Sequence, residues 1–253
     1  HSLNHHTHHL SFIKKASYLH FMKMFLAYFN DLFCLFFPEL CAACGRNLFR
    51  NEKIICTNCI YHLPRTNFHI DPQNKMARQL WGRFNFEQAM AFVYFQKGNR
   101  VQNLMHQLKY NKKPEVGIRM GELYAWQLIR SEALKNADII IPIPLHPIKL
   151  KKRGYNQSEE ISKGLSSVLK LPLSTQHLIR TENTESQTKK SRFARYENLK
   201  DAFIINNAFE LIQKHIILVD DVMTTGATME ACSNELSKIE GLKLSICTLA
   251  YAE

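Results

Sequence analysis

The sequence predicts an α/β fold, a mostly parallel sheet flanked by helices, with a small cysteine-rich module ahead of it. Three observations carry this. The second half of the chain alternates short apolar runs ("ADIIIPIP", "HIILVD", "KLSICTLAYA") with helix-period segments ("NQSEEISKGLSSVL", "ATMEACSNELSKI"). Continuous apolar runs belong to strands covered on both faces, and helices between them are the connections that parallel strands require. Four of the 7 cysteines stand in two C-x-x-C pairs, "CAAC" and "CTNC", close together near one end. Finally, 253 residues with 45% hydrophobic composition are enough to bury a substantial core in one or two domains.

The elements follow in order. Residues 1–21 open on His and repeat it at positions 5, 6, 8 and 9, so this stretch is expected to be a leader or an added scar. Met22 or Met24 is then the natural start. A module over residues 22–66 begins with "FMKMFLAYFNDLFCLFF", in which Phe25, Phe29, Leu32, Phe33 and Phe36 share helical spacing. Lys23, Asn30 and Asp31 interrupt it and it is short for a bilayer span, so it reads as an amphipathic docking helix, with a peripheral membrane anchor as the alternative. No secretion signal or transmembrane segment is recognised. Cys41, Cys44, Cys56 and Cys59 then have the spacing that brings four thiolates to one tetrahedral zinc. Full sulfur coordination leaves no open position, which makes the zinc structural, and thiolates kept reduced fit a cytoplasmic address. Two disulfides are the competing reading.

A domain over residues 80–253 holds the rest. "EQAMAFVYFQ" is expected as a strand. "NRVQNLMHQLKYN" is a helix with Val101, Leu104, Met105 and Leu108 on one face, and a second helix begins at Pro114, a favoured first helical residue. On the first of these helices His106 follows the apolar stripe and is expected to pack, with Lys109 at the exposed end. The strands and helices quoted above complete the sheet, Gly241 ends the last helix, and "RTENTESQTKKSRFARYEN" between them is polar, aperiodic and long enough to be a lid or a disordered loop. Cys34, Cys232 and Cys247 sit in apolar surroundings and read as inert core thiols.

The formal charge of +11 implies an acidic partner, nucleic acid and polyphosphates being equally compatible. The chemistry concentrates in "VDDVMTTGATM". A strand ending in two carboxylates, a turn of threonines and glycine, and a helix start aim backbone N–H groups, hydroxyls and a helix dipole at one spot, which suits a monophosphate. Carboxylates repel phosphate, so Asp220 and Asp221 must serve sugar hydroxyls or a magnesium ion carrying one. A ribose phosphate satisfies both halves.

"IILVDDVMTTGATM" resembles the signature of type I phosphoribosyltransferases, which bind 5-phosphoribosyl 1-pyrophosphate (PRPP) with magnesium. The resemblance implies PRPP contacts at Asp220, Asp221, Thr224, Thr225, Gly226, Ala227 and Thr228. The cysteine pairs, "LMHQLKYNKK", "IIIPIPLHPIKLKKRGYNQSEEIS" and "LIRTENTESQTKKSRFARYENLKDAF" follow the order of ComF-type competence proteins, a phosphoribosyltransferase-like family linked to uptake of single-stranded DNA in natural transformation. The likeness covers nearly everything after Phe36 and implies a glycosyltransferase of unnamed acceptor. In "KLKKRGYNQ", Arg153 is the best candidate to face pyrophosphate, joined by Lys149, Lys151 and Lys152. On the long loop Lys189, Lys190, Arg192 and Arg195 either steady the departing pyrophosphate or track a DNA backbone. The alternative to an enzyme is a single-stranded DNA binder with PRPP as effector or relic, in which Tyr110, Tyr155, Phe193 and Tyr196 beside basic residues would stack on bases.

Overall fold

The computed structural model describes Met22 and residues 37–129, 131–181 and 202–252. The leader, the amphipathic helix, Cys34 and the loop candidates Lys189, Lys190, Arg192, Phe193, Arg195 and Tyr196 lie outside the described residues.

Helix α1 (Thr57–Tyr61) carries the second cysteine pair, and α2 (Lys75–Leu80) precedes strand β1 (Gln88–Phe95). Helices α3 (Arg100–Tyr110) and α4 (Pro114–Leu128) lead to β2 (Ile139–Pro142), α5 (Pro147–Arg153) and α6 (Gln157–Leu169). Two short strands, β3 (Leu178–Arg180) and β4 (Phe203–Ile205), come before β5 (His215–Met223), α7 (Ala227–Leu236) and β6 (Lys243–Ala252). The main sheet has the order β1-β6-β5-β2, and every neighbouring pair is parallel.

Strand alternation divides the core. Met90, Phe92, Ile140, Ile217, Val219, Cys247 and Leu249 face α3, α4 and α6, while Ala89, Ala91, Ile141, Ile216, Leu218 and Ile246 face α2 and α7. The cysteine module joins the first of these layers: Ile55, Cys59 and Leu63 share its cluster, Arg65 bridges to Val93, and Asn103 Nδ2 donates to the Ala43 carbonyl at 2.9 Å. Helices α4 and α6 cross with backbones in contact. A Cβ at Gly121 would strike the Ile161 carbonyl, and one at Gly164 the Ile118 carbonyl.

Two features depart from expectation. β5 does not stop at the acidic pair but continues two residues further, with Asp220 opposite Thr248 and Met223 opposite Tyr251 of β6. β6 is long enough to keep accepting ladder bonds there, a pairing that local sequence does not reveal. The second is an antiparallel ribbon, Leu178 opposite Ile205 and Arg180 opposite Phe203, which brackets the polar loop. Its runs are too short to stand out by periodicity.

Candidate functional site

At the carboxyl edge of the sheet, β5 runs into a turn at Thr224, Thr225 and Gly226 and then into α7. Thr224 and Thr225 are exposed and Ala227 and Thr228 are half-buried; Gly226 has no side chain to cap the helix start, and the Ala227 N–H donates to Thr225 Oγ1 at 3.5 Å. The turn is held from one side. Gln79 Nε2 donates to the Thr224 carbonyl at 2.7 Å, and its Oε1 accepts from the Tyr251 hydroxyl at 2.9 Å; an Arg83 guanidinium N–H donates to the Thr225 carbonyl at 2.5 Å. Across a trans peptide the N–H points opposite to the C=O. Fixing those two carbonyls toward α2 therefore turns the N–H groups of Thr225 and Gly226 away from it, toward the open side where α7 begins. Gly226 has φ +76°, and an added Cβ would lie 2.7 Å from Leu80 Cδ2, 2.8 Å from Met223 Cε and 3.0 Å from Arg83. The positive φ favours glycine here, and any larger residue would also have to displace the ends of these side chains.

The acidic pair is asymmetric. Asp220 Oδ1 accepts from Ser158 Oγ at 2.9 Å and from the Asp221 backbone N–H at 2.8 Å. Burial, reinforced by the neighbouring Asp221 charge, pushes its carboxyl up to about 7 despite those bonds. Asp221 Oδ2 pairs with Lys109 Nζ at 2.9 Å. Among the described residues one oxygen of each carboxylate is thereby taken, leaving the other for hydroxyls or a hard cation. Oxygen donors of this kind suit magnesium.

Cations converge opposite the carboxylates. Lys149 is held below the usual lysine range by partial burial and by Arg180 and Arg153, although its side chain keeps contact with solvent. Arg180, at the end of β3, sits with its guanidinium 5.2 Å from the Phe203 ring centre, and its Nε is buried without a partner among the described residues. Arg153 donates to Gln157 Oε1 at 2.6 Å and lies 5.7 Å from the Tyr110 ring centre, while Lys151 and Lys152 are exposed.

Several expectations change here. Lys109 is no exposed helix end but the ion-pair partner of Asp221, because β5 carries that carboxylate past the end of β2 to meet α3. His106, expected to pack, is exposed and tilts against Tyr110 at 5.1 Å. Tyr155 is half-buried, with its hydroxyl donating to the Leu108 carbonyl. Much of "RGYNQS" serves assembly: Asn156 caps α6 and donates to the Ile143 carbonyl at 2.9 Å, and Ser158 holds Asp220. Ser158, Arg180, Gln79 and Arg83 had no local signal; each reaches the site through tertiary contact.

The cysteine module is a second centre. The sulfurs of Cys41, Cys44, Cys56 and Cys59 all lie within 4.8 Å of one another, with Cys44 and Cys56 3.8 Å apart. A tetrahedron with Zn–S bonds of ~2.3 Å has edges of about 3.8 Å, so the set can hold a metal ion. Burial opposes ionisation of Cys41, but N–H groups from Cys56, Cys44 and Ala43 outweigh it and bring the thiol to about 7. Cys232 and Cys247 are buried in the core, and burial pushes the latter to about 12. No helix of the described residues is long and apolar enough to cross a membrane.

Comparison with known proteins gives the following. Residues 118–253 match the phosphoribosyl transferase domain. A DNA utilization protein, YhgH, of Escherichia coli strain K12 is 28% identical over 193 residues, which are 75% of this chain and 80% of that protein. Competence protein F of Haemophilus influenzae is 36% identical over 124 residues, covering 49% of this chain and 54% of the relative. Among solved structures, an allosteric regulatory enzyme of purine biosynthesis aligns over 56% of this chain and 29% of its own, at 14% identity and a TM-score of 0.37. That overlap is partial, and the fold assignment rests on the sequence family and the strand order.

Proposed function

Because the chain belongs to the phosphoribosyl transferase domain family, as a ComF-type phosphoribosyltransferase-like protein, we propose that it binds PRPP with magnesium at the β5–α7 turn and acts in the handling of single-stranded DNA. One observation carries the ligand assignment: the Thr225 and Gly226 N–H groups, turned away from the carbonyls that Gln79 and Arg83 hold, stand at a helix start beside a carboxylate pair, with Lys109 and Lys149 near it. In this reading the Thr224–Thr228 turn takes the 5-phosphate, and Asp220 and Asp221 take the ribose hydroxyls. Magnesium, when bound beside Asp220 and Asp221, would neutralise pyrophosphate charge.

The chain's own contribution to transfer is positioning and charge. Arg153, with Lys149 and Lys152, faces the diphosphate, and Lys189, Lys190, Arg192 and Arg195 belong to a lid that excludes water from the anomeric carbon. An amine or nitrogenous base is the acceptor class. The cysteine module carries structural zinc, and a reducing cytoplasmic setting is part of the same reading.

PRPP with magnesium is expected to raise the melting temperature of the native chain progressively with ligand concentration, as any ligand of the folded state does. A flat response at millimolar PRPP would end the ligand assignment. Single-turnover release of pyrophosphate in the presence of amine and base acceptors then separates an enzyme from a binder, and absence of release with PRPP bound favours the second.

That second reading, a single-stranded DNA binder with PRPP as effector or relic, draws on the charge of +11 and on the relatives' names, DNA utilization protein and competence protein. Oligonucleotide affinity that falls steeply with salt supports it; undetectable binding at low salt removes it.

A further inference from the structure

Beside the turn, on the side away from the acidic pair, lies a trough of about 830 Å³ between the α2–β1 connection and the outer face of α7. Enclosed volumes of ~300–1,000 Å³ are typical of small-molecule sites. Its walls combine two kinds of group. Trp81 is 83% exposed, and Phe84 and Phe86 stand edge to face with ring centres 5.6 Å apart. Arg78 brings a guanidinium group and Glu87 the one lining carboxylate, the charge of Arg83 being already paired with Glu230, and Gln73, Asn85 and Asn234 offer amides. A bare indole with arginines and amides around it matches a planar heteroaromatic ring carrying a phosphate.

The trough is wired to the turn. Arg83 Nη2 and Nε bind Glu230 Oε2 at 2.6 and 3.1 Å, while its remaining nitrogen holds the Thr225 carbonyl. Glu230 shares its α7 face with the lining residues Asn234 and Ser237, spaced i, i+4 and i+7. Any ligand that shifts Arg83 therefore shifts the support that orients the Gly226 N–H group.

We infer that this trough binds a nucleotide unit, its base on Trp81 and its phosphate on Arg78, and that occupancy is coupled through Arg83 to the β5–α7 turn. The unit can come from a free nucleotide or from a single strand of DNA, since both present the same base and phosphate. The coupling rests on the proposed PRPP reading of the turn; the binding does not.

The test uses the full chain with Trp126→Phe, which leaves Trp81 as the sole indole of the 2 in the sequence. Deoxyadenosine 5′-monophosphate and a short oligodeoxyadenylate are titrated separately while Trp81 emission is followed. Saturable quenching is expected, weakened about tenfold or more by Arg78→Ala, where one charge-assisted phosphate contact is lost. It should persist in the Asp220→Asn/Asp221→Asn variant. Quenching by the oligomer alone assigns the site to a strand; quenching by both assigns it to the free nucleotide chemistry as well.

No quenching by either probe, or quenching unchanged by Arg78→Ala, overturns the site. Loss of quenching in the double Asn variant overturns it too, by placing the nucleotide in the turn. For the coupling, saturating nucleotide should change PRPP affinity by roughly fivefold or more, the low end of ordinary site–site coupling, and Arg83→Ala should abolish the change. PRPP affinity indifferent to nucleotide contradicts the coupling, whereas failure of PRPP to bind both with and without nucleotide strikes the reading of the turn and leaves the trough standing.

Discussion

Asp220 combines burial, a like-charged neighbour and only two hydrogen bonds, so its carboxyl titrates near about 7 rather than at the ordinary 3.8. The sign of its effect on stability follows. Between those two values the folded chain holds a proton that the unfolded chain has released, so stability falls as pH rises through that window and stays low above it. Asp220→Asn is therefore expected to melt higher than the native chain above neutral pH, by an amount of order a few kcal/mol at most, with the advantage gone near pH 4. A variant less stable than the native chain at pH 8 would contradict this. The same variant should lose sugar-phosphate affinity, the usual cost of relieving strain at a binding site. Lys109 lowers the Asp220 value through its charge, so Lys109→Ala should move the pH midpoint of ligand binding upward; an unchanged midpoint would show that the ion pair with Asp221 is incidental. Of these residues the carboxylates and threonines were legible in the sequence because they are adjacent along it. Lys109 and Ser158 were not, because each lies a long loop away and gains its role only when β5 extends past its neighbour β2.

Among the elements, the turn depends on what lies under it. Gly226→Ala must place a side chain at φ +76° and into Leu80, Met223 and Arg83, costing about 1–2 kcal/mol for the backbone alone. Its expected signature is a lowered melting temperature together with lost phosphate affinity. The crossing of α4 and α6 is a purely structural control: Gly121→Ala drives a methyl into the Ile161 carbonyl and should cost about 3 kcal/mol or more in urea unfolding, without altering affinity in the fraction that remains folded. If Gly121→Ala were neutral, the close helix contact would be wrong. Alternating apolar runs and helix periods announced the strands of the main sheet, since covered parallel strands leave that mark. The β3–β4 ribbon left none, because three-residue strands carry no period.

For the whole molecule, the cysteine module and the sheet share a hydrophobic layer through Ile55, Cys59, Leu63 and Val93. Metal removal should therefore be felt beyond the knuckle. The chain purified under reducing conditions is expected to carry one equivalent of zinc, and chelation should lower the melting temperature of the sheet domain as well as expose the thiols. Absence of bound metal, or a melting temperature indifferent to chelator, would remove the structural role. The spacing of the cysteines was enough to anticipate their convergence, because two C-x-x-C turns can present sulfurs in few other ways. What no local pattern could supply was the support of the phosphate turn by Gln79 and Arg83, which joins segments more than a hundred residues apart.

The most direct test of the account is calorimetric titration of PRPP with magnesium into the native chain and into the Asp220→Asn/Asp221→Asn variant, at a pH above the Asp220 midpoint. The account predicts saturable heat in the native chain and heat reduced to that of dilution in the variant. Equal heats in the two would contradict it, since the ligand would then be bound somewhere other than the strand end and helix start on which the site is built.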